Sequence, residues 1–124
     1  DLKFIADGPN LMLLNQLGVW IRSHILGLPF GDQAFLISRQ LYWRLGGFRE
    51  DAEYGEDHLL VWSARHAGLP IRPIGYYVST SARRYKLYGW RKTTLKHMWL
   101  TFLQAWPLAM KYIFKRQLKK AEQL

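Results

Sequence analysis

Residues 45–60 read LGGFREDAEYGEDHLL, a stretch that joins two predicted helices through a glycine turn and an acidic loop. The glycine pair ends the first helix, because glycine readily adopts the positive φ that helix C-termini often require. The second helix begins at Glu56-Asp57, directly after Gly55. Carboxylates are stabilised in the first turn of a helix by its free N–H groups. By itself this carboxylate pair has two interpretations: a capped helix start, or a catalytic general base.

Apolar periodicity outward from this stretch predicts an alternation of strands and helices. We predict strands over 2–6, 34–37 and 70–78, helices over 11–26, 39–45, 56–67, 90–106 and 108–120, and a basic loop over 79–89. This order is typical of an α/β fold, here a small Rossmann-like sheet with flanking helices and a C-terminal helical tail. The sheet is small and the chain begins at Asp1 without a methionine, so we expect a fragment of a longer protein.

Charge is unevenly distributed along the chain, and its C-terminal third is strongly basic. We predict a domain over 1–89 followed by a helical tail over 90–124. Residues 82–124 contain 11 Lys or Arg and one acidic residue, Glu122, which gives a net charge of +10. Such a tail suits phosphates, nucleic acid or an anionic membrane surface. Cysteine is absent, which excludes disulfides and thiolate metal sites and fits a reducing, cytoplasmic location.

Two further patterns suit polar ligands. Gly31-Asp32-Gln33 places an acceptor and an amide beside a flexible glycine, a mixture that suits a hydroxyl-rich ligand such as a sugar, although a polar turn is the plainer interpretation. Arg83 and Arg84 follow three hydroxyl residues, and paired guanidinium groups suit a diphosphate. A solvated basic loop explains that second pattern equally well.

The tail carries a stripe at helical spacing, formed by Trp99, Phe102, Leu103 and Trp106. The stretch 98–110 has no charged residue or histidine and is too short to span a bilayer, which needs about 20 residues. Packing of this stripe on the rest of the chain is the favoured interpretation. Peripheral contact with a membrane surface is the alternative.

Taken in order, five segments resemble the C-terminal half of family 2 glycosyltransferases of the GT-A fold. The matching residues are 28–33 (LPFGDQ), Arg39, 45–48 (LGGF), 56–57 (ED) and 80–84 (TSARR). The resemblance covers roughly residues 27 to 105, and the ordered set is more specific than any one motif. It is closest to the small bacterial branch associated with radical-SAM proteins.

The resemblance implies roles for individual residues. Asp57 would be the catalytic base that deprotonates an acceptor hydroxyl, and Glu56 would support it. The segment Gly31, Asp32 and Gln33 would line the acceptor side of the cleft, and Arg83 with Arg84 would lie near the donor diphosphate. Family members use a nucleotide-sugar donor with Mg²⁺ or Mn²⁺ and invert the anomeric centre.

The family's nucleotide-binding half, with its Asp-x-Asp metal motif, has no counterpart here, since the chain contains no Asp-x-Asp. We therefore expect the acceptor half alone, inactive by itself, without a metal site, and paired with a missing N-terminal half or another chain. The full enzyme would transfer sugar to an unidentified acceptor in the cytoplasm, with the tail at the inner face of the membrane. The alternative function is a basic module that binds nucleic acid or an anionic membrane.

Overall fold

The computed structural model describes residues 1–121 of the chain, without the side chains of residues 119 and 120. Its elements are β1 (Leu2–Phe4), α1 (Met12–His24), a 3₁₀ turn (Gly31–Gln33), α2 (Arg39–Arg44), α3 (Glu56–His66), β2 (Val78–Thr80), α4 (Arg83–Tyr88) and α5 (Trp90–Ala121). The last three residues of the predicted tail lie outside this range.

The sheet of the described chain consists of β1 and β2, which pair in parallel with Leu2 opposite Val78 and Phe4 opposite Thr80. The pairing continues past β1, because the Ile5 backbone N–H donates to the Thr80 carbonyl at 3.0 Å. Helix α1 follows β1, and its Gln16 side chain accepts from the Phe4 N–H at 3.4 Å. Parallel strands with intervening helices confirm the predicted α/β class.

Two predicted strands are wrong or displaced. Residues 34–37 form no strand: Ala34 has a φ of 58° and the Leu36 side chain is 87% exposed. No other strand of the described chain lies beside them to accept their backbone hydrogen bonds. Within 70–78, only Val78 belongs to a strand, because two prolines lack N–H donors and Gly75 turns the backbone at a φ of 81°.

The C-terminal region is more helical than predicted. The segment expected as a basic loop contains β2 and α4. The two predicted tail helices are one continuous helix, α5, with Pro107 in its interior. Proline has no N–H to offer the Leu103 carbonyl one turn earlier, but the hydrogen bonds of the flanking turns carry the helix across this position.

The buried core is formed mainly by the middle of α3, where Leu60, Val61 and Trp62 are each 5% exposed. Leu2 of β1 and Met12 of α1 complete it at the sheet side. Helix α3 therefore contributes most of the large buried apolar side chains of the described chain.

The turn before α4 is tied to the loop after β1. One Asp7 carboxylate oxygen accepts from the Ala82 N–H at 2.7 Å, and the other accepts from the Ser81 hydroxyl. These bonds, with the Ser81 bond foremost, hold the Asp7 pKa below its usual value. Ala82 is fully buried against Gly8, where an added Cβ would lie 2.4 Å from the Ala82 Cβ. Close packing at this glycine fixes where α4 begins.

Helix α1 leaves an apolar face uncovered within the described chain. Its exposed members are Leu13, Leu14, Leu17, Trp20 and Ile21. A two-stranded sheet is marginal by itself and needs covering layers on its faces. None of the described helices is both long enough and apolar enough to cross a membrane.

Candidate active site

The side chain of Asp57 lies at the start of α3 and contacts the 3₁₀ turn. The Gly31 N–H donates to Asp57 Oδ2, although the two residues are 26 positions apart. A Cβ at position 31 would lie 2.9 Å from that oxygen and 3.0 Å from the Asp57 Cβ. Glycine therefore permits the close approach, and the carboxylate is fixed by a backbone donor.

Asp32, the next residue of the turn, joins Asp57 and Arg22 in one electrostatic cluster. Partial burial raises the Asp32 pKa, the Arg22 guanidinium opposes that rise, and the negative charge of Asp57 adds to it. Burial likewise lowers the Arg22 pKa, while both carboxylates oppose the loss of its charge. Two carboxylates thus act on one half-buried cation.

Arg22 is held in place from two sides. Its Nε donates to the Leu28 carbonyl at 3.0 Å, and its guanidinium lies 3.5 Å from the centre of the Phe30 ring. The Arg22 guanidinium, in the last turn of α1, is therefore a fixed positive charge near the Asp32 and Asp57 carboxylates.

Gln33 faces inward rather than toward a ligand. It is 8% exposed, and its Oε1 accepts from Ser23 Oγ at 2.8 Å, the Phe30 N–H at 3.1 Å and Arg22 Nη2 at 3.2 Å. The side-chain carbonyl of Gln33 therefore accepts three hydrogen bonds, and these bonds hold the 3₁₀ turn against α1.

A buried hydrogen-bond chain fixes α5 against the first turn of α3. Trp62 Nε1 donates to His58 Nε2 at 2.9 Å, so the other ring nitrogen, Nδ1, carries the proton and donates to Gln104 Oε1 at 2.8 Å. Gln104 Nε2 then donates to the Tyr54 carbonyl at 2.9 Å. His58 is 2% exposed, and burial lowers its pKa, so the ring is neutral at neutral pH.

The remaining predicted site residues lie farther from Asp57. Glu56 is exposed in the same turn of α3, while Arg83 and Arg84 are exposed in the first turn of α4. Arg83 lies near Asp7, whose pKa it lowers. Arg84 lies near His97, whose pKa is lowered first by burial and further by the charges of Lys96 and Arg84.

Asp32 is the link between the carboxylate cluster and the α4–α5 region. Its charge reaches both the Tyr85 and the His97 side chains: it adds to the rise of the Tyr85 pKa and partly offsets the lowering of the His97 pKa. Burial is the larger cause of the raised Tyr85 pKa. Arg84 and Asp32 therefore both lie near His97.

The cluster does not fit a divalent cation. In residues 1–121, no three His, Asp or Glu side chains are arranged to hold a metal ion. Asp32 and Asp57 are accompanied by the positive charge of Arg22, which competes with a bound cation. Any metal used with a nucleotide sugar would need other ligands.

An apolar hollow of about 230 Å³ lies behind the turn and is separate from the carboxylates. Gln33 lines it together with Phe35, Leu41, Leu60 and Val61, whereas Asp32 and Asp57 do not. Asp32 is exposed and Asp57 is half-buried, so the carboxylate cluster lies at the surface of the described chain.

Sequence reasoning missed Arg22, the His58 bond chain and Gln104. Arg22 belongs to no motif, and only its place in the last turn of a helix ahead of Gly31 hinted at a role. The spacing of His58 and Trp62, four residues apart on a predicted helix, is the one local signal for their hydrogen bond. Gln104 gives no such signal, because its partners lie about 50 residues earlier.

No protein-family model, curated protein or solved structure matches this chain significantly. Inference about function therefore depends on the residues and their arrangement.

Proposed function

We propose that this chain is the acceptor-side, base-bearing part of an inverting glycosyltransferase with a GT-A-like fold, and that Asp57 is the base. The observation that carries the proposal is the hydrogen bond from the Gly31 N–H to Asp57 Oδ2. It joins the two sequence segments whose residues were assigned to the acceptor and to the base. A carboxylate held by a backbone donor at a helix start is fixed in one orientation, with its second oxygen left for another partner.

The proposed chemistry is a single in-line displacement. Asp57 Oδ1 accepts the proton of the acceptor hydroxyl while that oxygen attacks the anomeric carbon of the donor sugar. The bond from the anomeric carbon to the diphosphate oxygen breaks, and the electron pair leaves with the nucleoside diphosphate. Attack opposite the leaving group inverts the anomeric centre. Asp32, whose pKa is raised, hydrogen-bonds a second hydroxyl of the acceptor.

Arg22 and Arg84 have different tasks in this scheme. Arg22 lies near both carboxylates and supplies a fixed positive charge beside them. Arg84, with Arg83 beside it, is exposed on the side of Asp32 and supplies positive charge for the departing diphosphate.

The nucleotide-binding half of the enzyme is supplied from outside these residues. Two features support this part of the proposal: the chain contains no Asp-x-Asp sequence, and α1 exposes an apolar face beside a two-stranded sheet. A nucleotide-binding layer with further strands would extend the sheet and cover that face. Mg²⁺ or Mn²⁺ would be bound by that half, because the carboxylate cluster here does not fit a cation.

The test is Asp57→Asn in the full-length gene product, assayed against a panel of nucleotide sugars. Release of nucleoside diphosphate reports transfer to any acceptor, including water. We expect D57N to lower kcat by about 10²–10⁴-fold, the usual contribution of a general base. Asparagine retains an oxygen for the Gly31 N–H, so the fold of the turn should be kept.

Asp51→Asn is the matched control, because Asp51 is an exposed carboxylate whose partner, Arg49, lies outside the cluster. D51N should retain wild-type turnover. If D57N retains transfer within a few fold of D51N, the assignment of the base is wrong.

A further inference from the structure

Helix α5 presents a continuous apolar face to solvent. We call it the α5 apolar face, and its members are all at least 46% exposed: Leu95, Met98, Trp99, Phe102, Leu103, Trp106, Met110 and Ile113. The spacing of three and four residues places them along one side of a helix of about 48 Å, at 1.5 Å per residue. Two tryptophans lie near its middle.

The opposite side of α5 packs on the rest of the chain. Thr93 is 9% exposed, Gln104 binds His58 and Tyr54, and the Leu108 carbonyl lies 3.3 Å from His66 Nε2. The interpretation that the aromatic stripe itself packs on the described chain is therefore wrong. Within residues 1–121, one side of α5 contacts the rest of the chain and the aromatic side is exposed.

Positive charge lies at both ends of the α5 apolar face. Arg91, Lys92 and Lys96 lie at its first turn and Arg116 follows its last turn, and the helical period places all four within about 90° of the centre of the face. These four side chains are exposed. Lys111 and Lys115 lie on the packed side of α5, where Lys115 Nζ donates to the His66 carbonyl at 3.3 Å. No acidic residue occurs between residues 58 and 121. A partner of this surface must therefore be apolar in the middle and anionic at the rim.

We propose that the α5 apolar face docks in the plane of an anionic lipid membrane. An interfacial helix buries Trp, Phe and Leu at the level of the acyl chains while its Lys and Arg remain among the headgroups. The apolar α1 face differs, since α1 contains no Lys and carries its basic residues, Arg22 and His24, in its last turn only. This inference is independent of the proposed sugar transfer.

Nucleic acid is the less suitable partner for the same surface. A phosphate backbone needs cations along the contact, with stacking on separate aromatic rings. Here the cations lie at the two ends of the face. Between residues 98 and 110 the face offers three aliphatic or thioether side chains and three aromatic ones, and Leu95 and Ile113 extend it at the ends.

The experiment is flotation of the full chain with vesicles of phosphatidylcholine and phosphatidylglycerol in equal parts, with pure phosphatidylcholine as the second arm. We expect the chain to float with the anionic vesicles and at least about tenfold less with the neutral ones, since each cation near an anionic surface contributes about 1 kcal/mol. W99A/W106A should lose at least about tenfold in partitioning, because two large apolar side chains leave the lipid.

Matched variants distinguish membrane binding through the α5 apolar face from nonspecific binding by other exposed side chains. Trp43, which is 65% exposed on α2, is replaced in W43A, and R44E/R72E matches the charge change of K96E/R116E. W43A and R44E/R72E should float like the wild type, whereas K96E/R116E should not. All substituted side chains are exposed, so the fold is kept in each variant.

The proposal is overturned if the wild type does not float, or if W43A loses as much partitioning as W99A/W106A. It is also overturned if W99A/W106A floats normally while a 20-base-pair DNA duplex binds the chain with a steep salt dependence, because the surface would then serve nucleic acid. Sedimentation velocity measures whether the chain forms a dimer. A dimer that W99A/W106A dissociates, without flotation of the wild type, would assign the face to a second copy.

Discussion

Replacing Gln104 with leucine should detach α5 from the start of α3. The Gln104 side chain accepts from His58 Nδ1 at 2.8 Å and donates to the Tyr54 carbonyl at 2.9 Å. Leucine has a similar volume but offers neither group. The change therefore removes two hydrogen bonds and leaves the buried His58 N–H without an acceptor.

The magnitude follows from the burial of each partner. His58 is 2% exposed, so its unpaired donor costs about 1–3 kcal/mol of desolvation. Tyr54 is exposed and its carbonyl has access to water, so that bond contributes about 0.5–1.5 kcal/mol. We expect Q104L to lower the free energy of unfolding by about 2–4 kcal/mol, a large share of the 5–15 kcal/mol typical of a domain. Urea titration at pH 7.5, followed by circular dichroism, measures this loss.

Gln117→Leu provides the control, because Gln117 is an exposed glutamine of the same helix. A double-mutant cycle with His58→Phe isolates the pair, since the cost of Q104L should shrink once the histidine donor is gone. If Q104L and Q117L unfold at the same urea concentration, or if the cycle yields no coupling free energy, the bond chain does not hold α5.

Two further predictions concern the same region. Gly55→Ala should cost more stability than Gly68→Ala, because both positions have positive φ, 66° and 74°, but only the Cβ at 55 would contact Gln104, at 2.3 Å. Equal losses in urea would show that Gln104 moves aside freely. Acidification should also destabilise the fold: the His58 pKa is lowered in the folded chain, so the unfolded chain binds the extra proton below pH of about 6.5. The free energy of unfolding should fall with decreasing pH by up to about 1.4 kcal/mol per unit, and a slope unchanged in H58F would contradict this cause.

Prediction from the sequence succeeded where structure is local. Helices α1, α2 and α3 lie within two residues of their predicted bounds, because apolar spacing, Ser38 as a cap and terminal glycines act over a single turn. It failed for residues 34–37, whose apolar composition suits a buried strand but whose backbone finds no partner strand in the described chain. Strand formation depends on a neighbour that a local pattern does not specify.

The candidate site shows the same division. The sequence by itself determined which groups are available: a carboxylate pair at a helix start, a glycine-acid turn, a basic α5 and no thiolate. Only the tertiary structure decided that Gly31 donates to Asp57, that Arg22 lies with both carboxylates, and that Gln33 faces inward. Contacts between distant residues depend on how helices pack, and packing is a property of the whole chain.

Helix α5 makes the point most directly. Its helical period and its charge follow from the sequence, since each depends on residues a turn apart or on composition alone. Which side of the helix would be buried did not follow, because both sides carry apolar groups. The buried partners of Gln104 and Thr93 decided it, leaving Trp99 and Trp106 exposed.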